Sequence, residues 1–548
     1  MERRVILAFV LALLIAILPS ILFPPKKMPP RHPATSGTPD TAQQAPTGAS
    51  LVPVPERTAG RRAGPLEAVP PETVWVTSSL YRYGFSTAGG ALVSAELLQY
   101  RSFAPSDSGR HVDLIPRGRP ALAPRLVAGS DTVALTDWRF VPSARAVTVG
   151  GDSARLSLSA EREGARVTLD YIFAPDGYRF EVDGKVSGLG PAGAVLVVGL
   201  GDGLRSVEAD SADDFRHFAV VTKAGKTQGT AFSSIKPGEV KVLDGPFEWV
   251  GLKSKYFLLA ALALDENQTR FAGTLAVGGA RDGKNATHCA TAVTLPVAQA
   301  GAFRFQIFAG PLEYRRLAKV GHDLDDANPY GGVLRTLIQP VSILVMNILL
   351  WMHERLSLAY GWVLVIFGVF VRVLLWPLNQ RAMESSLRMQ AVAPLMKSTQ
   401  DKYKDDPERL QREMLKIYKE HQVNPFGGCL PMLLPMPVLF ALFFVFANTI
   451  EFRGVPFLWL PDLSRADPYF VLPIIMGLSM FVLSKVGQIG MPPNPQAKMM
   501  LYFMPIFMTV LFMRFAAGLN LYYAVSNLFS IPQQYFIAQR RLRRSGRT

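Results

Sequence analysis

Cysteine is nearly missing from this chain: two in 548 residues, Cys289 and Cys429. They fall in stretches of opposite character, so no disulfide is expected between them and no disulfide framework organises the fold. Histidine is also scarce, with seven residues, and no Cys/His set has zinc spacing. No Walker-A sequence occurs. Gly199, Gly201 and Gly203 lack the third-glycine spacing of a dinucleotide site and a following lysine, so they read as a loop. Charged residues make up only 18% of the chain against 49% hydrophobic, and the mean hydropathy is +0.19. That is too apolar for an ordinary soluble protein and too polar for a chain buried in lipid throughout, so part bilayer and part aqueous is expected.

What charge there is leans positive. The net value of +15 suggests anionic lipid headgroups or RNA as neighbours, or the Lys/Arg enrichment of cytoplasmic loops. Residues 1–23 carry Arg3 and Arg4 and then a 19-residue uncharged run, Val5 to Phe23, with no A-x-A site after it. They read as an uncleaved signal anchor. Residues 24–73 form a tether rich in proline (11 of the 47 residues from Pro24 to Pro70) that cannot bury a core. Over 74–320 short alternating runs recur, as at Ala154–Ser159, Arg166–Phe173 and Tyr178–Val186. The last two flank Ala174-Pro175-Asp176-Gly177, a hairpin turn. Further strands are expected at Tyr256–Leu264, Phe271–Val277 and Phe303–Phe308, giving an antiparallel β-sandwich with no convergent catalytic set.

After Pro311 the apolar runs lengthen. Spans are expected at about 5–23, 358–378, 429–449, 468–487, 499–514 and 519–538, with a tight turn at Ala516-Ala517-Gly518 between the last two. Thr336–Met352 is interrupted by Gln339, Pro340, Ser342 and Asn347. Counting it would give seven spans and put the two basic chain ends on opposite sides. The tail, with Arg540, Arg541, Arg543, Arg544 and Arg547, and the basic N-terminus both favour the cytoplasm, which requires an even number. Residues 321–357 are therefore a linker and an interfacial amphipathic helix, 358–538 a five-helix core, and 539–548 a basic tail. Within the core, 381–428 carries nine Lys/Arg and seven Asp/Glu and reads as a cytoplasmic helical hairpin, Arg381–Lys404 and Glu408–Glu420, broken at Asp405-Asp406-Pro407.

Arg372 stands inside the uncharged stretch Leu356 to Gln380. A charge deep in lipid costs about 2.5–3.5 kcal/mol on insertion scales. Two readings follow from position alone: a hydrophilic cavity among helices, or a long stem snorkelling to the headgroups. Arg372 lies 12 residues after Tyr360, about 18 Å along a helix, past mid-bilayer toward the cytoplasm. Asn520, Ser526 and Asn527 are polar candidates to line a cavity with it, and Tyr522 and Tyr523 offer apolar rings with polar tips. Ordinary helix–helix hydrogen bonding and an interfacial aromatic belt are the plainer alternatives.

Several stretches resemble, in order, the signatures of the YidC/Oxa/Alb insertase family, Gram-negative YidC type. They are Phe308-Ala309-Gly310-Pro311, Arg372-Val373-Leu374-Leu375-Trp376-Pro377-Leu378, Val423-Asn424-Pro425-Phe426-Gly427-Gly428-Cys429-Leu430-Pro431, Asp467 to Pro473, and Gly518 to Asn527 with Gln533-Gln534 beyond. The resemblance implies a periplasmic β-sandwich and five spans around a hydrophilic groove, closed outward and open to cytoplasm and lipid. It implies a non-enzymatic insertase and chaperone in the cell inner membrane, without a cofactor or a metal. Implied partners are nascent membrane proteins, the Sec translocon, and the ribosome and signal recognition machinery through the hairpin and tail; a specific nucleic-acid sequence is not expected. Arg372, Asn520, Tyr522, Tyr523, Ser526 and Asn527 become groove candidates. Asn424, Pro425, Gly427 and Gly428 become a structural turn into the third span. Three departures from the family pattern stand out: Pro435 where Gln is common, Gly368 where Thr is common, and Phe512-Met513-Arg514-Phe515 in place of a Trp-containing stretch. Two rival readings are weaker. A transporter would need an internal repeat, which is not found, and a sandwich serving only to bind carbohydrate would not need five further spans.

Overall fold

A computed structural model of the protein describes residues 71–544 except 129–130, 189–193, 265–269, 284, 299, 329, 331–334, 405, 422–435 and 490–494. The expected signal anchor, the tether up to residue 70, the turn at Asn424, Pro425, Gly427 and Gly428, and also Cys429 and Pro435, lie outside the described residues.

The first half is built of alternating strands. Ala165–Phe173 has buried Val167, Leu169, Tyr171 and Phe173 every second residue, the period that turns one face of a pleated strand inward. It pairs on both sides with Ala154–Arg162 and Arg179–Ser187, within a nine-stranded sheet whose centre also holds Ala302–Pro311 and Phe257–Leu262. The expected hairpin forms, with Phe173 opposite Phe180 and Gly177 in the left-handed region that glycine tolerates. A six-stranded sheet and a five-stranded sheet cover the apolar face of the nine-stranded one. Leu169, Tyr171, Val182, Phe303 and Phe305 face Leu196 and Val198 of the six-stranded sheet and Leu122 just before its strand Ala123–Ala128. Phe85 and Tyr83 of the five-stranded sheet pack on Tyr171, Phe173 and Phe180 with ring centroids 4.5–5.9 Å apart.

Two expectations are corrected here. The pairing is not wholly antiparallel, because Thr73–Thr77 runs parallel to Ala146–Thr148. Gly199 and Gly201 are not in a loop. They end the strand Val195–Gly201, and the ladder with Cys289–Pro296 shifts register between them. Glycine marks a bulge there, which composition alone does not separate from a loop.

Helices are α1 (Ser211–Arg216), α2 (Tyr314–Val320), α3 (Arg335–Leu356), α4 (Tyr360–Lys402), α5 (Pro407–Glu420), α6 (Met436–Asn448), α7 (Val471–Gly487), α8 (Pro495–Phe512) and α9 (Ala517–Arg544). Within α4, Tyr360–Gln380 is long and apolar enough to cross a membrane, and a third of it is buried; Met436–Asn448, Val471–Gly487 and Leu501–Phe512 are shorter apolar helices. The sequence expects a separate hairpin helix from Arg381. Instead α4 runs unbroken for 43 residues, about 65 Å. Charge appears partway along a helix without ending it. The second break is as expected: Asp406 accepts the Arg409 amide at 3.1 Å and Pro407 occupies the first turn, where its missing N–H costs nothing. Val392 and Met396 of α4 meet Ile417 of α5. The turn before α9 spans 513–516, so Ala517 already belongs to the helix, and α9 carries the basic tail on as helix through Arg544.

The β-domain and the helices are joined through the loop after α6. Arg453, on that loop, donates to Glu208 at 2.7 Å, with side chains only 3% and 11% exposed. Its guanidinium lies 4.3 Å from the Phe103 ring centre. Asn328 donates to the Asn448 carbonyl at 2.7 Å and accepts from Lys253 at 2.9 Å. The same loop clamps the start of α9: the Gly518 amide donates to Leu463 O at 2.9 Å and the Ala517 amide to Arg465 O at 2.6 Å.

Candidate functional site

Helices α4 and α9 run side by side through the apolar part of the chain. Their contact is close because Gly368 has no side chain: a Cβ there would lie 3.3 Å from Val525 Cγ1 and 3.5 Å from Tyr522 Cδ2. One turn further along α4, Arg372 turns toward α9. Its Nε donates to Ser526 Oγ at 2.7 Å and to Ser526 O at 3.1 Å. Its neighbours Val373 and Leu374 face outward, 63% and 62% exposed. The guanidinium is half-buried, and neither of its terminal nitrogens has a hydrogen bond or an acidic partner among the described residues. A fork of N–H donors is thereby held at one corner and left open at the other.

Seven residues on, the pattern repeats. Asn379 Nδ2 donates to Gln533 Oε1 at 3.0 Å, and Gln533 Nε2 to the Trp376 carbonyl at 3.4 Å. Arg372–Ser526 and Asn379–Gln533 share one sequence offset, 154, as expected of two parallel helices in fixed register. Between them Ser530 Oγ donates to Ser526 O at 2.7 Å. Residue type alone does not single out Asn379 and Ser530 in the sequence. The signal available was the shared seven-residue step of Arg372 to Asn379 and Ser526 to Gln533.

The structure does not gather all the sequence candidates at one point. Asn520 is fully buried in the first turn of α9, where Nδ2 donates to the Phe512, Phe515 and Ala516 carbonyls at 3.1–3.4 Å. It closes the C-terminal end of α8, whose last carbonyls have no helical donors. Asn527 is buried and donates to Ser479 Oγ of α7 at 3.2 Å, the helix–helix bond that was the plainer alternative. Tyr522 is buried with its ring centre 5.9 Å from Phe367 of α4. Tyr523, one residue and about 100° further round the helix, packs 5.7 Å from Phe512. Arg372, Tyr522 and Ser526 therefore share the α4–α9 seam, Tyr523 reaches Arg372 as well as Phe512, and Asn520 and Asn527 serve other contacts.

Among the described residues no group of three or more His, Cys, Asp or Glu is placed to hold a metal ion. The seam offers cationic and amide donors and hydroxyls.

Two family models match the chain: a YidC periplasmic domain over residues 73–344 and a 60Kd inner membrane protein over residues 351–544. The membrane protein insertase YidC of Geobacter sulfurreducens is 33% identical over 98% of both chains. That of Syntrophus aciditrophicus is 29% identical over 98% of this chain and 99% of its own. A crystal structure of an active YidC insertase with its first transmembrane domain resolved aligns at 18% identity and a TM-score of 0.35, covering 86% of this chain and 93% of that one. On the near-complete span of the sequence relatives, the chain belongs to the YidC family of membrane protein insertases, non-enzymatic inner-membrane proteins with a periplasmic domain.

Proposed function

We propose that this chain accepts hydrophobic nascent chains at the α4–α9 seam and releases them sideways into the inner membrane, without hydrolysing a nucleotide itself. In this reading residues 1–23 and four of the apolar segments join α4 to make six spans. Both termini are cytoplasmic, α3 lies along the outer surface, and α4 continues past Gln380 into a cytoplasmic hairpin with α5. The domain limits are those read from the sequence, with the periplasmic domain beginning at Thr73.

The observation that carries the proposal is the open side of Arg372. A segment entering the bilayer must bring polar termini across an apolar layer, and each unsatisfied backbone group there costs several kcal/mol. Guanidinium N–H groups left free at mid-helix hold water or an acidic segment and so shorten the apolar distance. Ser526, Ser530, Asn379 and Gln533 extend that polar line toward the cytoplasmic end. Exposed Val373 and Leu374 beside it supply a greasy flank along which an apolar segment leaves for lipid. Nascent membrane proteins are the partners this chemistry selects. The Sec translocon, and the ribosome through the hairpin and basic tail, fit the same reading.

The test is insertion of a small acidic-tailed membrane protein by Arg372→Ala and Arg372→Lys variants. Arg372→Ala is expected to slow insertion about tenfold, the scale of one charge-assisted contact, with Arg372→Lys retaining part of it. Wild-type insertion by Arg372→Ala, at equal abundance in the membrane, would show that the charge does not serve transfer.

A further inference from the structure

The stretch 455–470, between α6 and α7, turns its carboxylates inward. Asp462 accepts from the Ser464 amide at 2.8 Å and from its hydroxyl at 2.7 Å, and is 4% exposed. Asp467 accepts from the Tyr469 and Leu472 amides at 3.0 and 2.7 Å and from Trp459 Nε1 at 3.3 Å, and is 1% exposed. Both negative charges are thus spent inside the loop. Arg465, between them, is exposed, as is Arg514 on the turn between α8 and α9. The 2.6 Å bond from the Ala517 amide to Arg465 O holds the two segments together. Neither arginine side chain has an acidic or hydrogen-bonding partner among the described residues.

Apolar side chains stand on the same rim. Leu458 is 70% exposed, Tyr469 69% and Phe470 45%. Leu458 and Phe470 also sit at φ of 53° and 57°, a left-handed backbone that bulky residues rarely adopt. The loop is joined to the β-domain through Arg453 and Glu208, so this is the periplasmic end of the helices, where Lys and Arg are normally depleted next to a span. Two unpaired guanidinium groups beside an apolar rim at that level call for an anion carried by an amphiphile.

We infer that Arg465 and Arg514 form a binding site for the anionic headgroup of an outer-leaflet phospholipid, with Leu458, Tyr469 and Phe470 seated in its glycerol and upper acyl region. This rests on the proposed topology. The site would hold the periplasmic corner of α7, α8 and α9 at a fixed depth in the membrane.

The experiment uses the full chain, purified in detergent and examined by native mass spectrometry with phosphatidylglycerol or phosphatidylcholine added. Wild type is expected to retain phosphatidylglycerol over phosphatidylcholine. The Arg465→Gln/Arg514→Gln double variant should lose that preference about tenfold, and Arg465→Lys/Arg514→Lys should keep part of it. Undiminished phosphatidylglycerol retention by the Gln pair, at unchanged thermal stability, overturns the site. Equal loss of both lipids overturns the headgroup assignment, and loss of crosslinking to an acidic client with lipid retention intact reassigns the site to the client. The topology has its own arm. Arg465→Cys and Arg514→Cys, each in a cysteine-free chain, should react with an impermeant maleimide from the periplasm. Labelling only after the inner membrane is opened would overturn the topology, and the site with it.

Discussion

Arg372 illustrates how little a residue's type fixes and how much its partner does. Its charge inside an apolar run is visible in the sequence, and so is the demand for a polar neighbour. That the neighbour is Ser526, through both hydroxyl and carbonyl, depends on how two helices 154 residues apart meet. Asn520 and Asn527 had equal claims by type, yet one closes a helix end and the other bonds to Ser479. A polar residue in an apolar helix announces a partner without naming it. His217 carries a similar lesson in the β-domain. Burial pulls its pKa down from 6.5 to about 4, and its Nδ1 faces the Asp213 carbonyl at 2.9 Å. The folded domain therefore keeps the ring neutral. Its contribution to stability is complete above 6.5 and is lost as the pH falls from there toward 4. His217→Gln in the full chain should lessen the fall in unfolding temperature between neutral and acidic buffer by about 2–4 °C, followed by tryptophan fluorescence. An unchanged pH dependence would show that other groups set it.

At the scale of elements, hydrophobic periodicity locates each of the six strands expected in the β-domain, with edges moved by only a few residues. Ala165–Phe173 and Arg179–Ser187 each begin one residue from their expected start, because the buried face alternates without a break. Boundaries failed where composition changes but geometry does not. Beyond Arg372, charge gathers in α4 from Arg381 onward, yet an α-helix continues through polar sequence as readily as apolar until a cap or a proline stops it, and here the stop comes only at Lys402, just before Asp406-Pro407. Gly368 is the reverse case, a small residue whose importance appears only from the other helix. Gly368→Ala should be tolerated if Val525 gives by a few tenths of an ångström. Gly368→Leu should push α4 from α9 and cost about 1–3 kcal/mol by overpacking, seen as a lower unfolding temperature and slower client insertion. Equal stability of the two variants would show that the helices do not meet as tightly as the Gly368–Val525 approach requires.

At the scale of the whole molecule, the buried Arg453–Glu208 pair is the most consequential contact that the sequence could not supply. The partners are 245 residues apart, and each looks like an ordinary surface charge until the loop after α6 is laid against the β-domain. Removing one member of a buried pair costs about 3–5 kcal/mol, because the other is left buried without its partner, and burial already raises the Glu208 carboxyl to about 7 with Arg453 in place. Arg453→Ala should loosen the domain from the loop and expose residues 449–467 to protease from the periplasmic side, with the sandwich itself still folded. Glu208→Gln/Arg453→Gln, with no stranded charge, should restore protection in part. Unchanged protease resistance of Arg453→Ala would mean that Asn328, Lys253 and the packing around Ile450 suffice to hold the two together.

The sequence by itself determined the division of this protein into an alternating β-domain and an apolar helical part, the family, and the presence of a charge inside a long apolar run. Those follow from local period, composition and short motifs, which act over a few residues. Only the tertiary structure decided which polar groups share a seam, that α4 runs on past the apolar stretch, and that one arginine fastens the domain while Arg465 and Arg514 are exposed without an acidic partner among the described residues. Such facts depend on contacts between segments far apart in the chain, and a hydrogen-bond donor takes whichever acceptor the packing brings within about 3 Å.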